Sequence, residues 1–178
     1  MASNVDVTGL MAAIARQPEL WNANTLRTSH DLSPHKEAED IWIRFDDLEL
    51  FRKTGAITDI LDSAESVWYP AADALPQLRP ILFALMRQVE GVRLGRVMVT
   101  KLAPGKRIYP HADEGAQANY YARHHIVLQG LPGSLFRSGD ETVNMQTGEI
   151  WWFNNHIEHE VLNNSFDDRI HVIADIKC

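Results

Sequence analysis

The feature that most constrains the fold is a change of periodicity at Gly91. Before it, residues 80–90 carry apolar side chains at helical spacing, which predicts a helix with Pro80 at its first position and Gly91 just past its end. After it come short segments with strand-like patterning, separated by turns rich in glycine, proline and asparagine, at 92–102, 123–129, 134–137, 149–153, 159–162 and 169–176. Several short strands with no helix between them predict an antiparallel barrel or jelly roll.

The region before this helix is predicted to be helical and then irregular. Apolar residues between Leu10 and Ala15 lie at helical spacing, and Pro18 marks the end of that helix. A polar stretch that contains His35 follows, and an extended segment begins near Trp42. Because the chain has no repeat, linker or low-complexity tract, we expect one domain over 1–178, with a helical and irregular part at 1–91 and core strands at 92–178.

Charge and cysteine content exclude several classes of function. The 24 acidic and 17 basic side chains give a formal net charge of −7, which argues against a nucleic-acid partner. Cys178 is the only cysteine, so neither an intrachain disulfide nor a cysteine-based metal site is expected. No apolar run approaches the roughly 18 residues that a membrane span needs, and the N-terminal residues do not resemble a signal peptide. We expect a cytoplasmic protein without a membrane partner.

The histidines of the strand-rich half include a candidate metal site. His111 and Asp113 stand two residues apart, so on an extended backbone they project to the same side, and His159 can return to them in a jelly roll. Two imidazoles and one carboxylate with open positions opposite are the ligand set of Fe(II) oxygenases. His156 is a rival for His159, and a single histidine at a strand edge is more often structural than a ligand.

Three further residues suggest a site for organic carboxylates. Arg169 begins the last predicted strand, on the face opposite the aliphatic side chains that start at Ile170. Two orientations are open: Arg169 lies in solvent, or it points into the barrel and pairs with a carboxylate while the aliphatic face packs under the helices. Arg123 and His125 also share one strand face, where they form either a second carboxylate contact or a surface pair.

Five ordered blocks of sequence, at 102–113, 123–128, 148–153, 158–164 and 169–175, resemble one known family. They read LAPGKRIYPHAD, RHHIVL, GEIWWF, EHEVLNN and RIHVIAD. This pattern is similar to that of the aspartyl/asparaginyl β-hydroxylases, a family of Fe(II)- and 2-oxoglutarate-dependent oxygenases that also includes bacterial lipid and proline hydroxylases. The resemblance covers about residues 92–176, and more loosely 33–35 and 41–44.

The resemblance implies a double-stranded β-helix and a role for each candidate residue. His111, Asp113 and His159 are the implied iron ligands. Arg169 is implied to pair with the distal carboxylate of 2-oxoglutarate. The positions of Arg123 and His125 match those that approach the iron-chelating end of the same molecule.

The implied activity is hydroxylation of an unactivated C–H bond in an amino acid, peptide or protein side chain, with Fe(II), 2-oxoglutarate and O2. Two alternatives stay open at this point. One is a cupin-like isomerase or dioxygenase that needs no 2-oxo acid, and the other is a non-catalytic jelly roll that binds a metal or small molecule. Production of succinate, with and without substrate, separates the three.

Overall fold

The computed structural model describes residues 4–29, 31, 33–55 and 64–178. Within them, antiparallel strands form two sheets, one with six strands in the order β2-β1-β3-β10-β5-β8 and one with four in the order β4-β9-β6-β7. The strands are β1 Glu39–Phe45, β2 Val67–Trp68, β3 Arg93–Leu102, β4 Arg107–His111, β5 Ala122–Gln129, β6 Ser134–Ser138, β7 Glu141–Val143, β8 Ile150–Trp152, β9 His159–Asn163 and β10 Arg169–Lys177. The predicted jelly-roll fold is confirmed.

The part of the chain that the structure describes contains six α-helices. They are α1 Thr8–Ala15, α2 Leu26–Ser29, α3 Leu48–Thr54, α4 Ala71–Ala74, α5 Leu78–Gln88 and α6 Gly115–Tyr120, with a 3-10 turn at Pro18–Leu20. The aliphatic faces of α1 and α5 pack on the sheet through residues such as Leu10 and Leu82, which are almost fully buried. We call this layer the helix-side core. No helix in the described part of the chain is long and apolar enough to cross a membrane.

Strand β10 divides this core from the space between the two sheets. Ile170, Val172, Ala174 and Ile176 belong to the helix-side core. The alternate side chains of the strand therefore point between the sheets, because successive residues of a strand face opposite sides. Of the two orientations open for Arg169, the structure has the inward one. We call the space between the sheets the inter-sheet chamber.

The end of α5 differs from the prediction. The helix begins at Leu78, two residues before Pro80, and the left-handed residue past its end is Glu90, with φ of 54°, where the sequence suggested Gly91. Gly91 has another role, because a Cβ there would lie 2.5 Å from Cγ2 of Ile176. The glycine therefore permits close packing of the chain on β10.

Several elements were not predicted. Strands β4 and β7 and helix α6 lie within 92–178, so the expectation of no helix between the strands is wrong. These elements have three to six residues, too few for a period to show in the sequence. The region 1–91 also supplies β1 and β2 to the six-stranded sheet, so it is not only helical and irregular.

Candidate metal centre

The three predicted metal ligands meet at one end of the inter-sheet chamber. His111 is the last residue of β4 and pairs in register with His159, the first residue of β9. Asp113 follows two residues beyond β4, and one of its oxygens, Oδ1, lies 3.8 Å from Nε2 of His111. One potential ligand atom from each of the three side chains lies within 4.8 Å of the other two. The fold therefore assembles a two-histidine, one-carboxylate cluster.

Backbone carbonyls fix both imidazoles with the same nitrogen outward. Nδ1 of His111 donates to the carbonyl of Tyr109 at 2.7 Å, and Nδ1 of His159 donates to that of Ile157 at 2.9 Å. The Nε2 atoms then carry lone pairs, and Nε2 of His111 is buried with no hydrogen-bond partner among the described residues. Burial lowers the pKa of both histidines, which favours the neutral form that binds metals.

Asp113 is oriented through its other oxygen. Oδ2 accepts hydrogen bonds from Nη1 of Arg123 at 2.5 Å and from Nδ2 of Asn155 at 3.0 Å. Burial acts to raise the pKa of Asp113, but the Arg123 charge and the Asn155 hydrogen bond outweigh it and hold the pKa below its ordinary value. Oδ1 of an ionised carboxylate therefore faces the two histidines, as a divalent cation requires.

Arg123 bridges two carboxylates. Besides Asp113, its guanidinium binds Asp175 through Nε at 2.9 Å and Nη2 at 3.2 Å. Burial acts to lower the pKa of Arg123, but the two acids outweigh it and raise the pKa. The sequence placed Arg123 at the chelating end of a cosubstrate, whereas its contacts in the structure are with Asp113 and Asp175. Its direct effect is to position the candidate metal ligand.

Arg169 has a different environment. Its side chain is 2% exposed, and its Nη2 donates to Nδ1 of His171 at 3.0 Å. No carboxylate of the described residues forms an ion pair with it, and burial lowers its pKa to about 9. A desolvated cation without a counter-ion is unfavourable unless an anion binds beside it. The environment of Arg169 is therefore suited to an anion.

His125 lies between these two groups. It is buried on β5, its ring centroid is 5.6 Å from that of His171, and burial lowers its pKa well below the ordinary value. The Phe136 ring lies 5.9 Å from His125 and 6.0 Å from His159. His125 thus faces the same chamber as the metal cluster, and its Nδ1 has no partner among the described residues.

Two other histidines, His156 and His35, are not members of the three-residue cluster. His156, the rival of His159, is exposed and outside the cluster. His35 is half-buried with its ring centroid 4.8 Å from that of His111, and its Nδ1 accepts from Nη2 of Arg27 at 3.0 Å. The segment at 33–35 thereby covers one side of the cluster.

Sequence reasoning assigned no role to Asn155, Asp175 or His171. The last two share the strand face of Arg169, and this alternation was a usable signal. Nothing in the sequence pattern marks Asn155, which reaches Asp113 from the loop before β9.

A polar cleft of about 330 Å³ opens beside Asp113. Its other lining residues come mainly from the start of α6 and from two basic side chains: Arg96, Glu114, Gly115, Gln117, Ala118 and Arg123. The candidate ligand Asp113 is thus reached from outside through a cleft lined by both charge signs.

Comparison with known proteins gives one family match. The sequence profile described as aspartyl/asparaginyl beta-hydroxylase matches residues 14–178. No curated protein sequence matches the chain.

Solved structures share the fold at low identity. An oxidoreductase of the 2OG-Fe(II) oxygenase family from Burkholderia pseudomallei superposes with a TM-score of 0.55 at 14% identity, over 79% of this chain and 67% of that one. A predicted oxalate decarboxylase from Thermotoga maritima gives a TM-score of 0.40 at 16% identity, over 52% and 74%. At such identities the first similarity concerns the fold alone, and the second is too weak to support an argument.

Proposed function

Because the chain belongs to the aspartyl/asparaginyl β-hydroxylase family, we propose that it is an Fe(II)- and 2-oxoglutarate-dependent hydroxylase. The observation that supports this most is the pairing of two sites in one chamber. A cluster of two neutral imidazoles and an ionised carboxylate lies at one end, and a buried arginine without an acidic partner among the described residues lies on the neighbouring strand. Iron and a dicarboxylate would satisfy both.

In this proposal, His111, Asp113 and His159 hold one Fe(II). Their hydrogen bonds to the Tyr109 and Ile157 carbonyls and to Arg123 pre-orient all three side chains before any metal arrives. Such outer contacts fix the tautomer and the carboxylate orientation, which raises metal affinity. The open positions of the iron would then supply oxygen activation and oxidative decarboxylation of the 2-oxo acid.

Arg169 is proposed to bind the distal carboxylate of 2-oxoglutarate. A planar guanidinium can donate two parallel hydrogen bonds to a carboxylate, and burial strengthens the interaction. His125, with an unpartnered buried nitrogen, is proposed to approach the chelating end. Arg123 is proposed to act at that end mainly by fixing Asp113, since the two acids already occupy much of its guanidinium.

The substrate class that fits this proposal is an amino acid, peptide or protein side chain with an unactivated C–H bond. The cleft beside Asp113 is a suitable entry, because its volume of about 330 Å³ accommodates a side chain or a free amino acid. We propose that residues 1–178 act as one domain, since β1 lies beside β3 in the same sheet.

A cupin-like isomerase or dioxygenase without a 2-oxo acid is the competing function. Such an enzyme would use the same metal cluster. It would have no use for a buried guanidinium without a counter-ion, which costs stability in the free protein. Arg169 therefore favours the 2-oxoglutarate-dependent reaction.

The deciding experiment measures succinate formed from 2-oxoglutarate by the iron-loaded protein, with and without amino acids and short peptides. We expect a slow basal rate and stimulation by one substrate class. Formation of no succinate under any condition, together with metal-dependent conversion of another compound, would establish the competing function instead.

A further inference from the structure

We propose that His171 is a second carboxylate-binding residue, which donates from Nε2 to the same distal carboxylate that Arg169 binds. The proposal rests on the proposed function for the identity of the ligand, 2-oxoglutarate. The structural argument needs only an anion with a carboxylate group. It follows from three observations: which nitrogen of His171 carries the proton, the lack of a counter-ion at Arg169 among the described residues, and the inward orientation of both side chains on β10.

The contact with Arg169 decides which nitrogen of His171 carries the proton. A guanidinium has donors only, so Nδ1 of His171, at 3.0 Å from Nη2, has to accept. Burial holds the pKa of His171 well below its ordinary value, so the ring is neutral and its single proton is on Nε2. Nε2 is therefore a hydrogen-bond donor, and the orientation of the ring fixes the direction of its N–H.

That donor has no partner. Nε2 of His171 is buried and forms no hydrogen bond with any described residue, although the side chain is only 1% exposed. Buried N–H groups are nearly always paired, because an unpaired donor loses its hydration without compensation. An orphan donor next to a cation without a counter-ion indicates an absent acceptor that carries negative charge.

The surroundings agree with an anion. His171 and Arg169 share the inward face of β10, and across the sheet His171 pairs with Thr100 and Val127. The hydroxyl of Thr100 is already committed to Asp40, at 2.7 Å, which leaves it no second proton to donate. The neighbouring ring of His125 is neutral. Arg169 and His171 thus present a cation and a free N–H to a carboxylate at this position of β10.

A purely structural role makes the opposite prediction. In that case His171 only accepts from Arg169 and keeps the guanidinium in place. Asparagine can replace the Nδ1 acceptor but has no donor at the Nε2 position, whereas glutamine places an N–H near Nε2 and lacks an acceptor near Nδ1. The two variants therefore separate the roles.

The test measures binding of glutarate and 2-oxoglutarate to the full-length, metal-free protein by calorimetry. Glutarate has no 2-oxo group, so its binding does not depend on iron chelation or turnover. We expect His171→Asn to weaken both ligands by about 10- to 100-fold and His171→Gln to stay within about threefold of the wild type. His124→Asn is the control, because His124 is buried on the same strand face as Ile126 of the helix-side core. It should leave both affinities unchanged.

A spectroscopic readout accompanies the affinities. Long-range ¹H–¹⁵N spectra of the histidines should show the Nε2–H form of His171 in the free protein, with its proton moving downfield when glutarate binds. Retained affinity in His171→Asn with loss in His171→Gln, or an Nδ1–H tautomer, would overturn the proposal.

The outcomes for the two proposals are separate. Tight glutarate binding that depends on His171, without any succinate formation, would reject the hydroxylase and keep the carboxylate site. Turnover of 2-oxoglutarate with unchanged affinity in His171→Asn would keep the hydroxylase and reject the site. A metal-free wild-type protein that binds neither dicarboxylate would overturn the carboxylate site, whereas the hydroxylase would be overturned by the absence of succinate formation in the iron-loaded protein.

Discussion

The helix-side core and the inter-sheet chamber both contain buried side chains, yet they are built on opposite principles. The first consists mainly of aliphatic side chains, as at Val172 and Ala174. The second contains Arg169 and His171, a cation and a donor that have no anionic partner among the described residues. These residues alternate along one strand, β10, so a step of one residue separates the two environments.

The difference shows where stability and binding are located. Burial of aliphatic area stabilises the fold without any ligand. Burial of unpaired polar groups destabilises the free protein, and that loss is recovered when a ligand supplies the missing partners. Substitutions in the two regions should therefore have opposite consequences for folding and for binding.

The largest effect is expected for His159→Ala. The variant loses one of three ligands from the candidate metal cluster, so we expect no detectable turnover and, after gel filtration, less bound iron than in the wild type. His156→Ala is the matched control, because His156 is exposed three residues away. Iron analysis and succinate formation provide the readouts. Normal iron content in His159→Ala with loss in His156→Ala would show that the other histidine is the ligand.

Arg169→Leu tests two properties of the inter-sheet chamber, its affinity for the ligand and its effect on the stability of the free protein. Removal of one partner of a desolvated charge pair costs about 2–5 kcal/mol, so 2-oxoglutarate should bind about 30-fold to several thousand-fold more weakly while metal content is kept. The unliganded variant should nevertheless unfold at higher denaturant concentration than the wild type, because a desolvated cation is gone. Weaker binding with lower stability would mean that Arg169 has a structural partner in the free protein.

Leu82→Ala tests the helix-side core. Leu82 is 1% exposed, and its truncation should lower the free energy of unfolding by about 2–5 kcal/mol. The affinity for 2-oxoglutarate should stay the same under conditions where the variant is folded. Phe83→Ala on the same helix is the control, since Phe83 is 55% exposed and should change stability by less than about 1 kcal/mol. A large loss of affinity in Leu82→Ala would show that the two regions are coupled.

The smallest effect is expected for His125→Ala. If His125 orients the chelating end of the cosubstrate, its loss should lower the turnover rate by about tenfold with a smaller change in binding, because misorientation affects reaction more than ground-state affinity. Single-turnover rates and calorimetric affinities measured on one preparation separate the two. Full turnover in the variant would restrict the cosubstrate contacts to the β10 face.

The sequence allowed the fold class and the metal cluster to be predicted, for identifiable reasons. His111 and Asp113 stand two residues apart, and the turn at 163–164 signalled the strand that carries His159. The orientation of Arg169 stayed open, because a strand face with Arg169, His171 and Asp175 resembles a solvent-exposed face in sequence, although all three are buried. The structure settles it through the packing of Val172 and Ile176 under the helices.

The contacts of Arg123 could not be predicted from the sequence. Its partner Asp175 is brought opposite it by the register between β5 and β10, and Asn155 comes from an irregular loop. Such pairings depend on three-dimensional register, which local spacing does not contain. Short elements such as β7 were missed because three residues have no measurable period.

Strand β4 has a consequence for how quickly a metal can be exchanged. It is the outer strand of its sheet, and its free edge is covered by an irregular segment: the amide of Tyr109 donates to the carbonyl of Pro34 at 2.9 Å. The carbonyl of the same Tyr109 holds His111. Detachment of the segment at 33–37 would remove the outer hydrogen bond of Tyr109 and so loosen the residue whose carbonyl anchors the His111 imidazole. The rate of amide hydrogen exchange at Tyr109 and the rate of metal release should therefore rise and fall together. Both should report a local opening whose free energy is well below that of global unfolding.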